Sequence, residues 1–260
     1  MADFSYSESQ IAELISEFTD PNTREAVEIS SLPDLLDGVR YFIDVGANVG
    51  QYTFHAARSL RNAKILVIEA NPYLIPVLTR TVEDLRLRDR GGNDFEIQSG
   101  AVSDIPGTLE FHVSNFPTLS SIFLHQTTQR VNVPTVRLDD FYLPSVPTVI
   151  KIDIEGAEYR AIRSASQFLQ SRNTSFFVEL HSWGDKTIRK YPIHLCWLFL
   201  MNGYAVRKIG THYWFYRAAW LKRTASFLGQ CPFVGLQYLT VRYGAGLRAL
   251  IAQHRNRSQK

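Results

Sequence analysis

Apolar runs alternate with segments of helical periodicity along residues 41–217. Five of these runs end in acidic or glycine-containing turns, at 41–50, 64–70, 94–104, 148–158 and 175–185. Continuous apolar runs separated by helices are typical of parallel strands buried between two helical layers. Residues 108–114 alternate strictly and predict a half-exposed strand, whereas 204–217 predict a hairpin with Gly210 in its turn. The pattern therefore predicts an open α/β sheet, whose ligands bind at the carboxyl ends of its strands.

The stretch 41–50, YFIDVGANVG, joins a buried strand to a helix through a glycine turn. Such a turn brings backbone amides and a helix N-terminus onto a ligand. Asn48 stands where the dinucleotide fingerprint requires its second glycine. Asp44, followed by Gly46, Asn48 and Gly50, therefore suits a ligand with a charged amino-acid end better than a pyrophosphate. An ordinary packing turn is the alternative.

Glu69 ends the second strand, 25 residues after Asp44. This interval is close to one strand–helix–strand unit, and a carboxylate there is placed to accept hydrogen bonds from two ribose hydroxyls. Asn71 is expected to cap the following helix with Pro72 at its first position. Pro76 is expected to kink that helix or delay its start.

Two further strand ends carry acids. Asp153 lies near the carboxyl end of TVIKIDIEGAE (148–158), where a ligand role is expected, while Glu158 in the next helix is assigned a structural role at the helix dipole. The strand in 175–185 ends with acids and an imidazole at the same edge. Its candidate residues are Glu179, His181 and Asp185.

The charge of the chain is unevenly distributed. Residues 186–260 contain 13 Lys and Arg and no acid, whereas residues 1–185 hold all 25 acids against 15 bases. The basic quarter indicates an anionic partner, such as a membrane surface, a phosphorylated acceptor or nucleic acid, or else a solvated basic face. Two cysteines without metal spacing favour a reducing compartment, and the N-terminus resembles no signal peptide.

Five separated motifs together resemble the FkbM-type family of S-adenosylmethionine-dependent O-methyltransferases. They are IDVGANVG (43–50), IEANP (68–72), AVSD (101–104), RLDDF (137–141) and KIDIEGAE (151–158). The resemblance covers roughly residues 40–182 and implies a class I methyltransferase fold, a Rossmann-like α/β architecture. Its sheet would have seven mainly parallel strands, with helices on both faces and one antiparallel strand.

The resemblance also implies roles for individual residues. The methionine end of the cofactor would be lined by Asp44, Gly46, Asn48 and Gly50, and the cofactor set extends to Glu69, Asn71, Ala101, Val102 and Asp153. Glu69 would bind the ribose, Ala101 and Val102 would flank the adenine, and Asp153 would sit between cofactor and acceptor. Outside the resemblance lie a helical lead-in (1–40) and a basic, aromatic extension (218–260) on either side of the methyltransferase domain (41–217).

The expected reaction is in-line methyl transfer from S-adenosylmethionine to a hydroxyl oxygen of a sugar, glycan, lipid-linked glycan or related natural product. A hydroxyl is a poor nucleophile at neutral pH, so a base should assist. His181 is the first candidate because its ordinary pKa lies near neutrality, and Asp153 is expected to orient the hydroxyl. Alternatively, Asp153, Glu179 and His181 hold a divalent metal, magnesium or manganese, that acidifies the acceptor.

Other interpretations remain open at this point. A nicotinamide-dependent oxidoreductase of similar fold is disfavoured by Asn48, and a nucleic-acid-binding module by the lack of a recognised motif. The expected location is cytoplasmic, with peripheral contact at the inner membrane face through 218–260. Ser120, Ser121 and His125, in the polar segment 115–130, are further candidate ligand contacts.

Overall fold

The computed structural model describes residues 6–16, 18, 20, 23–114, 129–181 and 193–230. Its helices are α1 (Glu8–Ser16), α2 (Ala26–Leu35), α3 (Gln51–Ser59), α4 (Ile75–Arg88), α5 (Glu158–Arg163), α6 (Ser166–Gln170), α7 (Ile193–Met201) and α8 (Trp220–Gln230). Its strands are β1 (Tyr41–Val45), β2 (Lys64–Glu69), β3 (Asp94–Ser99), β4 (Ala101–Val102), β5 (Thr108–Val113), β6 (Gln129–Val136), β7 (Thr148–Ile152), β8 (Thr174–Glu179), β9 (Tyr204–Ile209) and β10 (His212–Arg217).

Seven strands form the main sheet in the order β3-β2-β1-β7-β8-β10-β9. The first five are parallel, and β10 runs antiparallel to both of its neighbours. The predicted seven-stranded, mainly parallel sheet with one antiparallel strand is therefore confirmed. The chain order reverses between β1 and β7, and a crevice at such a reversal is where open α/β sheets bind ligands.

Helices cover both faces of this sheet. On one face α2, α3 and α4 bury a cluster around Phe42, Ile65 and Phe177, and on the other α5 to α8 bury a cluster around Ile43, Ile150 and Phe199. Burial on both faces explains why the parallel strands are continuously apolar instead of alternating.

A smaller sheet, β4-β6-β5, flanks the carboxyl edge of the main one. The lead-in docks against it through Tyr6, whose hydroxyl accepts from Asn71 Nδ2 (2.8 Å) and donates to the Ser114 carbonyl oxygen (3.1 Å). A reciprocal capping box starts α1, because the Ser7 amide donates to Gln10 Oε1 and the Gln10 amide to Ser7 Oγ.

The helix after β2 starts later than Asn71 and Pro72 predict. It begins at Ile75, with Pro76 in its first turn, so Pro76 does mark the delayed start. Asn71 instead accepts a hydrogen bond from the Tyr73 amide within the preceding turn (3.1 Å).

Some sequence predictions fall outside the described residues: Ser120, Ser121, His125, Asp185 and the extension beyond Gln230. Among the helices described, none is long and apolar enough to cross a membrane.

Candidate functional site

A cavity of about 670 Å³ opens at the carboxyl ends of β1, β2, β7 and β8. Eight of the residues predicted from the sequence line it: Gly46, Asn48, Glu69, Ala101, Val102, Asp153, Glu179 and His181. The lead-in closes one side through Leu14, Arg24 and Glu25. The strand ends and the lead-in therefore enclose one continuous site.

The glycine turn between β1 and α3 forms the floor of the cavity. Gly46 has a φ of 75°, and a Cβ there would overlap the main-chain carbonyl oxygen of Asp153. Asn48, although not glycine, also adopts a left-handed φ of 54°. Its amide donates to Glu69 Oε2 (2.8 Å). The close approach at Gly46 allows the ends of β1 and β7 to share one binding surface.

Glu69 is held by backbone groups on both sides. The Asn48 amide donates to Oε2 and the Asn71 amide to Oε1 (2.7 Å). Burial nevertheless raises the pKa of the Glu69 carboxyl. The Ala70 backbone also interacts with this carboxyl, and because a carboxylate accepts about four hydrogen bonds, Glu69 keeps acceptor capacity on its cavity side.

Asp44, Gly50 and Asn71, which were predicted to contact the cofactor, do not line the cavity. Asp44 is fully buried, accepts from Thr53 Oγ1 (2.7 Å) and pairs with Lys151 Nζ (3.5 Å). Gly50, in a left-handed conformation, precedes α3 and packs near Leu78 and Thr81 of α4. Asp44 and Gly50 therefore support the glycine turn on the side that faces away from the cavity.

Lys151 joins the two motifs that are most informative in the sequence. It is only 2% exposed, and its Nζ donates to the Gly46 carbonyl oxygen (3.0 Å) and lies 3.8 Å from Asp153 Oδ2. Burial lowers the pKa of Lys151, but Asp44, Asp153 and other nearby carboxylates outweigh it and raise the pKa to about 12. Lys151 therefore stays charged and fixes the glycine turn.

An imidazole surrounded by carboxylates occupies the far side of the cavity. His181 Nδ1 lies 2.9 Å from Glu158 Oε1, and its Nε2 lies 3.4 Å from Glu155 Oε2 and 4.0 Å from Asp153 Oδ1. Glu158 is fully buried and also accepts from the Gly156 amide (2.9 Å). Glu158 therefore fixes one ring nitrogen and leaves the other facing the acids of the cavity.

These contacts change the pKa values of His181 and Glu155. Burial lowers the pKa of His181, but the hydrogen bond and charge of Glu158, with Asp153 and Glu155, raise it to about 9. Burial, aided by Asp153 and Glu179, raises the pKa of Glu155 to about 7. The carboxylates around His181 therefore raise its pKa above the ordinary, near-neutral value. Glu155, at a left-handed φ of 53°, is a second group that titrates near neutrality.

Comparison with known proteins decides the family. The family model described as a methyltransferase FkbM domain matches residues 44–205, more than half of the chain. The chain belongs to the FkbM methyltransferase family. It is accordingly an S-adenosylmethionine-dependent methyltransferase, and the oxidoreductase interpretation is set aside.

Solved structures resemble the FkbM chain only distantly. The precorrin-6y C5,15-methyltransferase of Geobacter metallireducens has 13% identity and a TM-score of 0.44, covering 83% of this chain and 94% of its own. A Bacillus subtilis tRNA methyltransferase has 11% identity and a TM-score of 0.45, covering 89% and 82%. The O-methyltransferase of Bacillus cereus in complex with S-adenosylhomocysteine has 14% identity and a TM-score of 0.38, covering 67% of each chain. A sequence search of curated proteins gave no match.

The cavity fits S-adenosylmethionine on its own geometry. Glu69 keeps acceptor capacity for the ribose hydroxyls. Ala101 and Val102 form a buried apolar wall beside Phe111 for the adenine. The tight turn at Gly46 leaves backbone open to the methionine end. The FkbM chain therefore has a place for each part of the cofactor.

Asp153, Glu179 and His181 meet one geometric requirement of the metal alternative. Each can offer a ligand atom, and these atoms lie within 4.8 Å of one another. Because Glu158 occupies His181 Nδ1, the ligand from the imidazole would be Nε2. Because the nearby carboxylates raise the pKa of His181 to about 9, either metal binding or base catalysis at Nε2 requires loss of its proton.

Lys151, Glu155 and Glu25 were not predicted as site residues from the sequence, and Glu158 was assigned only a structural role. Lys151 had a usable signal, because the period of two along β7 places it on the same face as Asp153. Glu155 and Glu158 lie within KIDIEGAE but show their roles only through contact with His181, 23 positions after Glu158. Glu25 lies in the lead-in, whose sequence carries no chemical motif.

Proposed function

We propose that this FkbM methyltransferase transfers the methyl group to a hydroxyl oxygen of a sugar, glycan or related polyhydroxylated natural product. The observation that carries the proposal is the convergence of Asp153, Glu155, Glu179 and His181 on the cavity beside the glycine turn. Carboxylates accept hydrogen bonds from several hydroxyls at once, and a hydroxyl nucleophile needs a proton acceptor. The cluster supplies both.

His181 is proposed as that proton acceptor. In its neutral form, Nδ1–H donates to Glu158 and the lone pair of Nε2 faces the cavity. This arrangement of a buried carboxylate that fixes the tautomer of a base is the logic of catalytic triads. Asp153, 4.0 Å from Nε2, is placed to orient the acceptor hydroxyl.

S-adenosylmethionine supplies the activated methyl group on its sulfonium. The chain contributes alignment and proton handling. Alignment can account for several kcal/mol by fixing a near-attack geometry, and general base catalysis for a factor of about 10² to 10⁴. Glu155, 3.4 Å from His181 Nε2, is placed to receive or share the proton.

We further propose that the protein binds an anionic carrier on the acceptor, or a membrane surface, outside the cavity. Carboxylates dominate the cavity lining around His181, so a phosphate would be repelled there. Exposed bases occur instead in the acid-free C-terminal quarter, among them Arg207, Lys208 and Lys222. Only the hydroxyl-bearing part would enter the site.

The reaction type is tested by mass spectrometry of candidate glycans and lipid-linked sugars after incubation with labelled S-adenosylmethionine. Methylation of oxygen is expected, and label on nitrogen or carbon alone would contradict the proposal. His181→Ala should lower turnover about 10²-fold or more while S-adenosylhomocysteine affinity stays nearly unchanged. His194→Ala, at an exposed position on α7, is the matched control.

The surface contact is tested separately with vesicles. Full-length protein should bind anionic vesicles more tightly than neutral ones, and added salt should weaken that binding. Leu221 on α8 is 73% exposed. If α8 inserts at the membrane surface, Leu221→Asp should weaken binding to anionic vesicles at a given salt concentration. Equal binding to both vesicle types would contradict membrane contact and leave a soluble anionic acceptor as the proposal.

A further inference from the structure

The amino-acid end of S-adenosylmethionine carries an α-ammonium group that needs acceptors. Asp44 was the expected carboxylate, but it does not line the cavity, and its Oδ2 accepts from Thr53 while its Oδ1 lies 3.5 Å from Lys151 Nζ. The family match begins at residue 44, so it gives no assignment to the lead-in. The ammonium therefore requires a different carboxylate on the cavity wall.

Glu25 of the lead-in is such a carboxylate. Its side chain lines the cavity, and its Oε2 is buried without a hydrogen-bond partner among the described residues. The Tyr52 hydroxyl, from α3, lines the same cavity and interacts with the Glu25 carboxyl, and Tyr52 is only 4% exposed. Burial raises the pKa of both groups, and Glu25 contributes to the rise at Tyr52. A donor from a ligand would satisfy Glu25 Oε2, the acceptor that this pair leaves buried.

The surrounding charge also favours a cation. Lys151 lies over the Tyr52 ring, 4.7 Å from its centroid. It is attracted by four carboxylates, those of Asp44, Asp153, Glu25 and Glu179. The carboxylates near Lys151 outnumber it, although Arg24 also lines the cavity. An ammonium group brings both a positive charge and three N–H donors.

We propose that Glu25 and Tyr52 form the subsite for the α-ammonium group of S-adenosylmethionine, so that the lead-in completes the cofactor site. This inference rests on the methyl donor binding in the cavity at the glycine turn. Glu25 accepts a charge-assisted hydrogen bond from the ammonium, and the Tyr52 hydroxyl accepts a second. The lead-in is then a part of the binding site that the family motifs do not include.

The test compares two ligands that differ in the amino-acid end. S-adenosylhomocysteine carries the ammonium, whereas 5′-methylthioadenosine keeps the nucleoside and lacks the whole amino-acid portion. Calorimetric titration of Glu25→Gln should show S-adenosylhomocysteine bound about 10- to 100-fold more weakly, as expected for loss of a charged hydrogen bond. Binding of 5′-methylthioadenosine should change less than about 3-fold. Tyr52→Phe should show the same selectivity at about 5-fold.

Glu8→Gln is the matched control, since Glu8 is an exposed acid of α1 and is not among the residues that line the cavity. It should leave both affinities within about 2-fold. Equal weakening of both ligands by Glu25→Gln would overturn the proposal, because the lead-in would then act only as a structural cover. Unchanged S-adenosylhomocysteine binding would overturn it too and place Glu25 on the acceptor side. Failure of the unsubstituted protein to bind either ligand would instead reject the cofactor assignment.

Discussion

Glu158 offers the sharpest test of the proton-acceptor proposal. Its Oε1 accepts from both His181 Nδ1 and the Gly156 amide, each at 2.9 Å. Glu158→Gln can keep an oxygen at this position and so keep both hydrogen bonds. The substitution removes only the negative charge. It therefore separates the electrostatic effect of Glu158 from its positioning of the ring.

The expected magnitude follows from the geometry. An opposite charge within hydrogen-bonding distance raises the pKa of a base by about 1–3 units. The pKa of His181, about 9 in the intact site, should therefore fall by about that amount. A pKa of 9 leaves only about 1% of the imidazole neutral at pH 7, and the substitution should increase that fraction at least 10-fold.

Two assays follow this change. Nitrogen-15 NMR of the histidine rings measures the pKa of His181 directly. The pH dependence of kcat/KM for the acceptor, at saturating S-adenosylmethionine, reports the same group if His181 is the base. The ascending limb of that profile should move to lower pH by the same amount as the NMR pKa. A limb that stays in place while the NMR pKa falls would refute His181 as the base and favour Glu155.

The free energy of unfolding should also depend on the protonation of His181. Because the folded-state pKa of His181 lies above its ordinary 6.5, the contribution of its charge is complete below pH 6.5. It is lost as pH rises through 9. Glu158→Gln should therefore lower the free energy of unfolding more at pH 6 than at pH 10. The expected difference is about 1.4 kcal/mol for each unit of pKa removed. An equal loss at both pH values would contradict the proposed charge interaction.

Three further perturbations test other parts of the site. Glu69→Gln should weaken S-adenosylhomocysteine binding about 10-fold or more by calorimetry, whereas Glu96→Gln, at a surface ion pair with Lys64, should not. Lys151→Met should lower the free energy of unfolding in urea by about 3–5 kcal/mol, because it leaves Asp44 buried and uncompensated; a loss below about 1 kcal/mol would contradict the pairing. Chelation with EDTA should leave turnover unchanged, and a loss restored by magnesium or manganese would favour the metal alternative over direct base catalysis.

The main strands were predictable from sequence because a parallel sheet covered on both faces needs continuous apolar runs. The strand-end positions of Glu69, Asp153 and His181 followed from the same runs. The orientation of the Asp44 side chain could not be predicted from these runs. All five residues of β1 are buried, so the strand offers no contrast between an inward and an outward face. Sequence position alone could not show that Asp44 pairs with Lys151 and does not line the cavity.

The lead-in marks a different limit. The sequence predicted a helical lead-in, and α1 forms there with a capping box at its start. Its placement over the cavity depends on long-range contacts such as that of Tyr6 with Asn71, 65 positions apart. No local pattern encodes such a contact, so the contribution of Glu25 to the site could only be found in the folded chain.

The pairing of DVGANVG with KIDIEGAE has a physical basis in the sheet. Asp44 and Lys151 are direct partners in the register of β1 and β7, and Lys151 also donates to the Gly46 carbonyl oxygen. Neither motif is stable in this arrangement alone, because a buried Asp44 needs the cation and a buried Lys151 needs the carboxylate. The two motifs therefore form one electrostatic unit that fixes the glycine turn beneath the cofactor.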